Sequence, residues 1–223
     1  MKRLLFQVAR GMSRSRGLGR LIGLTFQYFH FLLPIRNSSE EDDILVFPHP
    51  RPSFAHHCLA VPKRSIPAFQ DLIDQSNLSL FLAIAREGRR IIREQSWSAY
   101  SVGVNGGAYQ DVSQVHFHLY AEAEHWSPIA GSMPSGTTPI CHGYSYFSHP
   151  EPARDTHIVL VPHANDGQPF FGLSEAFADI QSSIPELDDA YTVFLEYDME
   201  GSGNPVLLHI VSGDSRGPDI SNT

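Results

Sequence analysis

The chain has 223 residues, 42% of them hydrophobic, and 16 basic against 24 acidic side chains give a formal net charge of −8. That length allows one large domain or two small ones with an ordinary globular core, and the two distant cysteines, Cys58 and Cys141, exclude a disulfide framework and fit a reducing compartment. Residues 1–36 carry seven basic residues and no acid, so the remainder is strongly acidic, which excludes broad electrostatic binding of nucleic acid but leaves room for a small anionic ligand in a local pocket.

Within the basic leader, Leu18, Leu21, Ile22, Thr25, Phe26, Phe29, Leu32 and Leu33 recur at helical spacing, and Pro34 should stop that helix. Gln27 and His30 interrupt the apolar surface, and the run is too short for a membrane span. Three readings stay open: a helix packed on the domain or on a second subunit, an interfacial helix giving peripheral membrane contact, and an organellar transit peptide. No apolar h-region with a small-residue cleavage site is present, so a cytoplasmic rather than secreted protein is expected.

Ser38–Asp43 reads as a polar, acidic linker. Ile44–Phe47 is then a strand, Pro48–Pro52 a rigid turn, and His57–Val61 a second strand ended by Pro62. Ser65 is placed to cap a short helix carrying Phe69, Leu72 and Ile73. A longer helix starts near Ser79, with Phe81, Ile84, Gly88, Ile91 and Gln95 on one side and Arg86, Arg89, Arg90 and Arg93 on a solvated face. Two strands follow, Tyr100–Asn105 and Val112–Tyr120, joined through Gly106-Gly107. In the second, Gln114, His116 and His118 alternate with Val115, Phe117 and Leu119, so the polar three should stand in a row about 6.5–7 Å apart. Ser127–Pro139 is rich in Pro, Gly, Ser and Thr and reads as a loop.

Beyond that loop the chain repeats its own pattern. Ile44–Pro52 matches Tyr144–Pro152 in Phe, His, Pro and Pro, and His57–Pro62 matches His157–Pro162 at the same offset of 100. Ala99–Val102 then matches Ala190–Val193, and Val115–Leu119 falls on Val206–Ile210, both at an offset of 91. The second copy keeps His209 where the first has His118, but puts Leu207 in the place of His116, and its helix around Leu173–Ser183 should be short. A chance recurrence in short strands could supply one such match; four in the same order favour duplication.

A strand ending in Phe47, then H-C-L-A-V-P-K, a helix, a glycine turn and Q-D-V-S-Q-V-H-F-H-L form a sequence that resembles the histidine triad (HIT) superfamily of nucleotide hydrolases and transferases. The resemblance covers Asp42–Trp126 well and Tyr144–Val211 faintly. The family signature is His-φ-His-φ-His-φ-φ, with φ apolar; here it reads Q-V-H-F-H-L-Y. It implies an α+β fold, a HIT-like antiparallel sheet with a helix, present in tandem as an intrachain pseudo-dimer. The expected segments are a leader and linker (1–41), a HIT domain with the site (42–127), a loop (128–143) and a degenerate repeat (144–223).

The resemblance also implies roles. His116 would be the nucleophile, forming a covalent nucleotidyl-histidine, with its other ring nitrogen held by an acceptor such as a backbone carbonyl. His118 would donate to a phosphate oxygen, and His57 would lie beside the nucleophile. Gln110 and Asn105 resemble phosphate-contacting amides. Three positions depart from the family pattern. Gln114 replaces the first histidine and can donate a hydrogen bond but cannot titrate. His49 stands where a ribose-binding aspartate is usual, two residues beyond Phe47. Asp111 replaces a hydroxyl near the leaving group. Each of these residues has a plainer reading as a strand or turn residue.

The expected function is hydrolysis of nucleoside monophosphate esters, phosphoramidates or anhydrides, with nucleotidyl transfer to a phosphorylated acceptor and non-catalytic nucleotide binding as rivals. A nucleotide is the expected partner, no metal or cofactor is required, and a monomer (pseudo-dimer) or a homodimer is allowed. Zinc binding by Cys58, Cys141 and neighbouring histidines is disfavoured.

Overall fold

The computed structural model describes residues 39–41, 43–50, 52–110, 112–121, 136–150, 152, 155–163, 170–199 and 205–212. The basic leader with its expected helix, Asp111, and the loop from 122 to 135 lie outside the described residues. No described helix is long and apolar enough to cross a membrane.

The described residues form one ten-stranded sheet with helices on one face. Its strands are β1 (Ser39–Glu41), β2 (Ile44–Pro48), β3 (His57–Pro62), β4 (Tyr100–Gly107), β5 (Phe117–Ala121), β6 (Thr138–Pro139), β7 (Tyr144–Ser148), β8 (His157–Pro162), β9 (Ala190–Tyr197) and β10 (Pro205–Ser212). Their order is β1-β2-β3-β5-β4-β9-β10-β8-β7-β6, and every neighbouring pair is antiparallel. The order is palindromic: reading inward from either edge meets the same succession of hairpins, and β4 meets β9 at the centre. Between them Gly103 opposes Phe194, and Asn105 opposes Thr192.

Alternation along the strands sorts side chains between the two faces. Ile44, Val46, Ala60, Val102, Val104, Phe117 and Leu119 join the main core, with their counterparts Ile158, Leu160, Val193, Leu195, Leu208 and Ile210. Helices α1 (Phe69–Ile73), α2 (Leu78–Glu94) and α3 (Leu173–Ser183) cover that face, with Phe69 edge-on to Phe177 at 5.4 Å. The other face carries two smaller apolar clusters, Leu45, Phe47, Leu59 and Val61 on one half and Phe147, Val159, Val161 and Leu207 on the other.

The structure differs from the expected elements in ways that have local causes. Ser39–Glu41, expected within a linker, pairs with β2 as a polar edge strand. The first helix is entered at Ala68 rather than Ser65, because Asp71 Oδ2 accepts the Ala68 N–H at 3.0 Å. Arg89 is buried rather than solvated: its Nη2 donates to the carbonyls of Asp198 and Met199 beyond the end of β9. Gln95 is exposed at the end of α2, off the expected apolar side. Thr138 and Pro139, expected in loop, form a two-residue strand against β7.

The largest difference precedes the histidines. Chain 112–116 is not strand; β5 begins only at Phe117. The glycines before it serve the junction between halves. Gly107 has a φ of 59°, where a side chain is strained, and an added Cβ would sit 2.0 Å from the Asp189 carbonyl oxygen. That same carbonyl accepts the Ala108 N–H at 2.7 Å. The loop leading to the histidines is therefore tied to the start of β9.

Candidate active site

A row of residues crosses the face opposite the described helices at the level of His118. In strand order it runs Phe47, Leu59, His118, Gly103, Phe194, His209, Val159 and Phe147. Gly103 leaves the space that the Phe194 ring fills, since a Cβ there would lie 2.7 Å from the ring. Phe47 belongs to the apolar cluster beside the site.

His57, two residues before Leu59, shares this face. Its Nε2 lies 3.0 Å from His118 Nδ1, and its Nδ1 accepts the Ser53 N–H at 3.3 Å. A backbone N–H can only donate, so Nδ1 of neutral His57 carries no proton and Nε2 does. That proton is donated to His118 Nδ1, which in turn places the proton of neutral His118 on Nε2. Burial, with repulsion from His49 and His116, pushes His57 down to about 3, so the neutral form holds at ordinary pH. His49 stacks on His57 with ring centroids 4.1 Å apart and planes within 6°, and lies 5.5 Å from the His118 ring.

His116 sits just before β5, half-buried, with its ring 5.0 Å from that of His118. Its Nδ1 is 2.9 Å from the Gln114 carbonyl oxygen. A carbonyl can only accept, so Nδ1 holds the proton and the lone pair of the neutral ring is on Nε2.

Gln114 does not join this row. Its side chain is 1% exposed and is spent on the connection between β3 and α1: Nε2 donates to Pro62 O (3.1 Å) and Arg64 O (2.9 Å), and Oε1 accepts from Ile66 N (3.3 Å). Val115 N also donates to Ile66 O at 2.8 Å. Gln114 thus braces the segment that presents His116. Gln110 is likewise committed, its Nε2 donating to Pro67 O and to Val112 O (2.7 Å). The sequence places Gln110 at a phosphate and Gln114 in line with His116 and His118; in the structure both amides bond backbone groups. Alternation predicts such a row only where the backbone is extended, and here it is not.

Asn105 is buried two residues beyond Gly103 on the same side of β4, and its Oδ1 accepts the Thr192 hydroxyl at 2.7 Å. Its amide NH2 then faces away from Thr192. Thr192 belongs to the second half and nothing in its sequence context marks it; only the β4–β9 pairing brings it here. Tyr120, which its sequence does not mark as a site residue, is fully buried, packs edge-on to His57 and stacks on Phe54.

Metal binding does not fit these rotamers. Ligating atoms of His49, His57 and His118 lie within 4.8 Å of one another, as do those of His149, His157 and His209. In each set, however, two rings are stacked nearly parallel, so their in-plane lone pairs do not converge on one point. Cys58 and Cys141 instead pack against the main core, and burial pushes both thiols up.

Residues 34–129 match the family model described as scavenger mRNA decapping enzyme C-terminal binding. The match spans less than half of the chain and supports a histidine triad superfamily protein. Solved structures similar to the chain include a HIT family hydrolase from Legionella pneumophila Philadelphia 1, 23% identical over 47% of this chain and 96% of that one, with a TM-score of 0.42. A histidine triad protein from Clostridium difficile is 23% identical over 44% of this chain and 89% of its own, with a TM-score of 0.41. A DUF4931 family protein from Bacillus cereus ATCC 10987 is 10% identical and covers 84% of this chain and 94% of its own, with a TM-score of 0.49. No curated protein sequence matches the chain.

Proposed function

We propose that the chain is a HIT-type nucleotide hydrolase in which His116 Nε2 attacks the phosphorus of a nucleoside monophosphate ester, phosphoramidate or anhydride. The observation that carries this reading is the 2.9 Å bond from His116 Nδ1–H to the Gln114 carbonyl, which leaves the lone pair on Nε2. Attack forms an N–P bond and breaks the bond from phosphorus to the leaving group, which departs with its electron pair and takes a proton from solvent. The imidazolium so formed keeps its Nδ1–H on the carbonyl, which stabilises the positive charge. Water then attacks phosphorus, the N–P pair returns to Nε2, and the water's proton goes to bulk.

His118 Nε2–H donates to a non-bridging phosphate oxygen as charge builds there, and neutral His57 keeps His118 in that tautomer. Asn105 supplies a second donor through its amide NH2, oriented by Thr192. Gln114 and Gln110 act on the backbone rather than on substrate. Segments 42–127 and 144–223 are read as copies joined into an intrachain pseudo-dimer with one reactive site. The palindromic strand order and the matching histidine geometry of the two halves support this reading.

A donor panel of adenosine and guanosine 5′-phosphoramidates, fluorogenic phosphate esters and dinucleoside polyphosphates tests the reading. Wild type should release the nucleoside monophosphate from at least one class, and His116→Ala should lose at least 100-fold in kcat. Equal turnover by both proteins would end it. Adding sugar phosphates or inorganic phosphate during turnover separates transfer from hydrolysis by the appearance of new nucleotide products.

A further inference from the structure

The second half reproduces the histidine cluster of the first in detail. His149 stacks on His157 with centroids 4.3 Å apart and planes within 7°, against 4.1 Å and 6° for His49 on His57. His157 Nε2 lies 2.9 Å from His209 Nδ1, against 3.0 Å for His57 and His118. The His149 and His209 rings are 5.7 Å apart, those of His49 and His118 5.5 Å. Even the backbone contact recurs, with His149 N and His49 N donating to the carbonyls of His157 and His57 at 2.8 Å each. These three residues are all buried and have no role in the chemistry above.

One position differs in kind. Gly103 opposes His118 and Phe194 opposes His209, so the residue two further along each central strand is Asn105 in the first half and Glu196 in the second. Glu196 Oε2 lies 2.9 Å from His209 Nε2. Its carboxylate therefore holds the ring nitrogen that corresponds to the proposed phosphate donor of His118. Leu207, opposite Glu196, lies within an apolar cluster where the first half has His116.

We propose that the second half is a latent oxyanion site closed from within, the Glu196 carboxylate standing on His209 where a phosphate oxygen would otherwise bind. The inference rests on the phosphate reading of the first half. An incoming phosphate would lose the His209 donor and meet a like charge in low dielectric, so the closed half rejects it. With the shorter side chain of asparagine there, as at Asn105, no oxygen reaches His209 Nε2 and the same frame accepts a tetrahedral oxyanion. Without a nucleophile it binds and does not react. His118 and His209 lie three strand steps apart, roughly 14 Å, so the two sites are separate.

The test uses full-length protein with 15N-labelled histidine, titrated with inorganic phosphate, the ring resonances assigned by single His→Asn variants. In wild type, phosphate should shift His116 and His118 saturably and leave His157 and His209 unmoved. In Glu196→Asn, His157 and His209 should shift as well, and a Glu196→Asn, His118→Ala double variant should keep only that second response. Glu196→Gln, whose amide oxygen still accepts from His209, should stay closed. Movement of His209 in wild type overturns the proposal, as does a folded Glu196→Asn whose His209 ignores phosphate. If wild-type His116 and His118 do not respond but Glu196→Asn gains the His209 response, the first-half reading fails while the closure stands. Should Glu196→Asn not fold, Glu196→Ser takes its place, and the wild-type His209 response still decides.

Discussion

Replacing Gln114 separates a brace from a phosphate ligand. Its side chain satisfies three backbone groups at 2.9–3.3 Å, and it is almost fully buried. Gln114→Ala leaves Pro62 O, Arg64 O and Ile66 N without that partner, and a buried polar group left unpaired costs about 1–3 kcal/mol. Water entering the space beside Arg64 offsets part of this, so a net loss of about 2–5 kcal/mol is expected. Gln114→Glu should be worse: a carboxylate can still accept from Ile66 N but faces two carbonyl oxygens with nothing to donate. Urea unfolding followed by far-UV circular dichroism reads the loss as a lower midpoint with an unchanged slope. Activity should fall too, because the carbonyl that fixes His116 belongs to the same residue. A Gln114→Ala protein with wild-type stability and a collapsed kcat would refute the brace and restore Gln114 as a substrate ligand.

Three further outcomes follow from the same geometry. Burial lowers His57 and His157 from 6.5 to about 3, so the unfolded chain binds more protons between those values and stability should fall as pH drops from about 6.5 toward 3. Urea midpoints at pH 7 and pH 5 check this, and a flat profile would contradict it. Thr192→Val removes the bond to Asn105, worth about 0.5–1.5 kcal/mol. It should raise KM or lower kcat/KM roughly 2–10-fold and lower the melting temperature by about 1–6 °C; unchanged kinetics would remove Thr192 from the site. Gly107→Ala forces a Cβ onto the Asp189 carbonyl at a positive φ, and the melting temperature should drop by several degrees, for a cost of about 1–3 kcal/mol. A melting temperature equal to wild type would mean that the junction tolerates a side chain there.

Much of the sheet could be read from residues whose local pattern and final environment agree. Ile44–Phe47 and His57–Val61 form the strands read from their sequence, and Leu173–Ser183 the short helix that the repeat predicts, because each packs one regular face on the core. The recurrence of His-Pro and His-x-x-x-Val-Pro points to a duplicated pattern, and the structure adds that each half carries a histidine cluster of one construction. Gln114 leaves the row that a period of two predicts, because the backbone before Phe117 departs from strand. Its amide satisfies a neighbouring connection that no local pattern announces. Arg89 looked solvated among other arginines, yet two carbonyls past β9 draw it in. Thr192 and Glu196 act across strands, and only register brings them to Asn105 and His209.

The most direct test of His116 as nucleophile is to trap the intermediate. Wild-type protein mixed with a turned-over adenylate donor, quenched in alkali and digested, should give a peptide spanning His116 that is heavier by one nucleotidyl group. The increment should be lost on brief acid treatment, as expected of an N–P bond. His118→Ala should still form it, more slowly, and His116→Ala should not. An adduct on another residue, or turnover by wild type with no adduct under rapid quench together with full activity of His116→Ala, would contradict the mechanism.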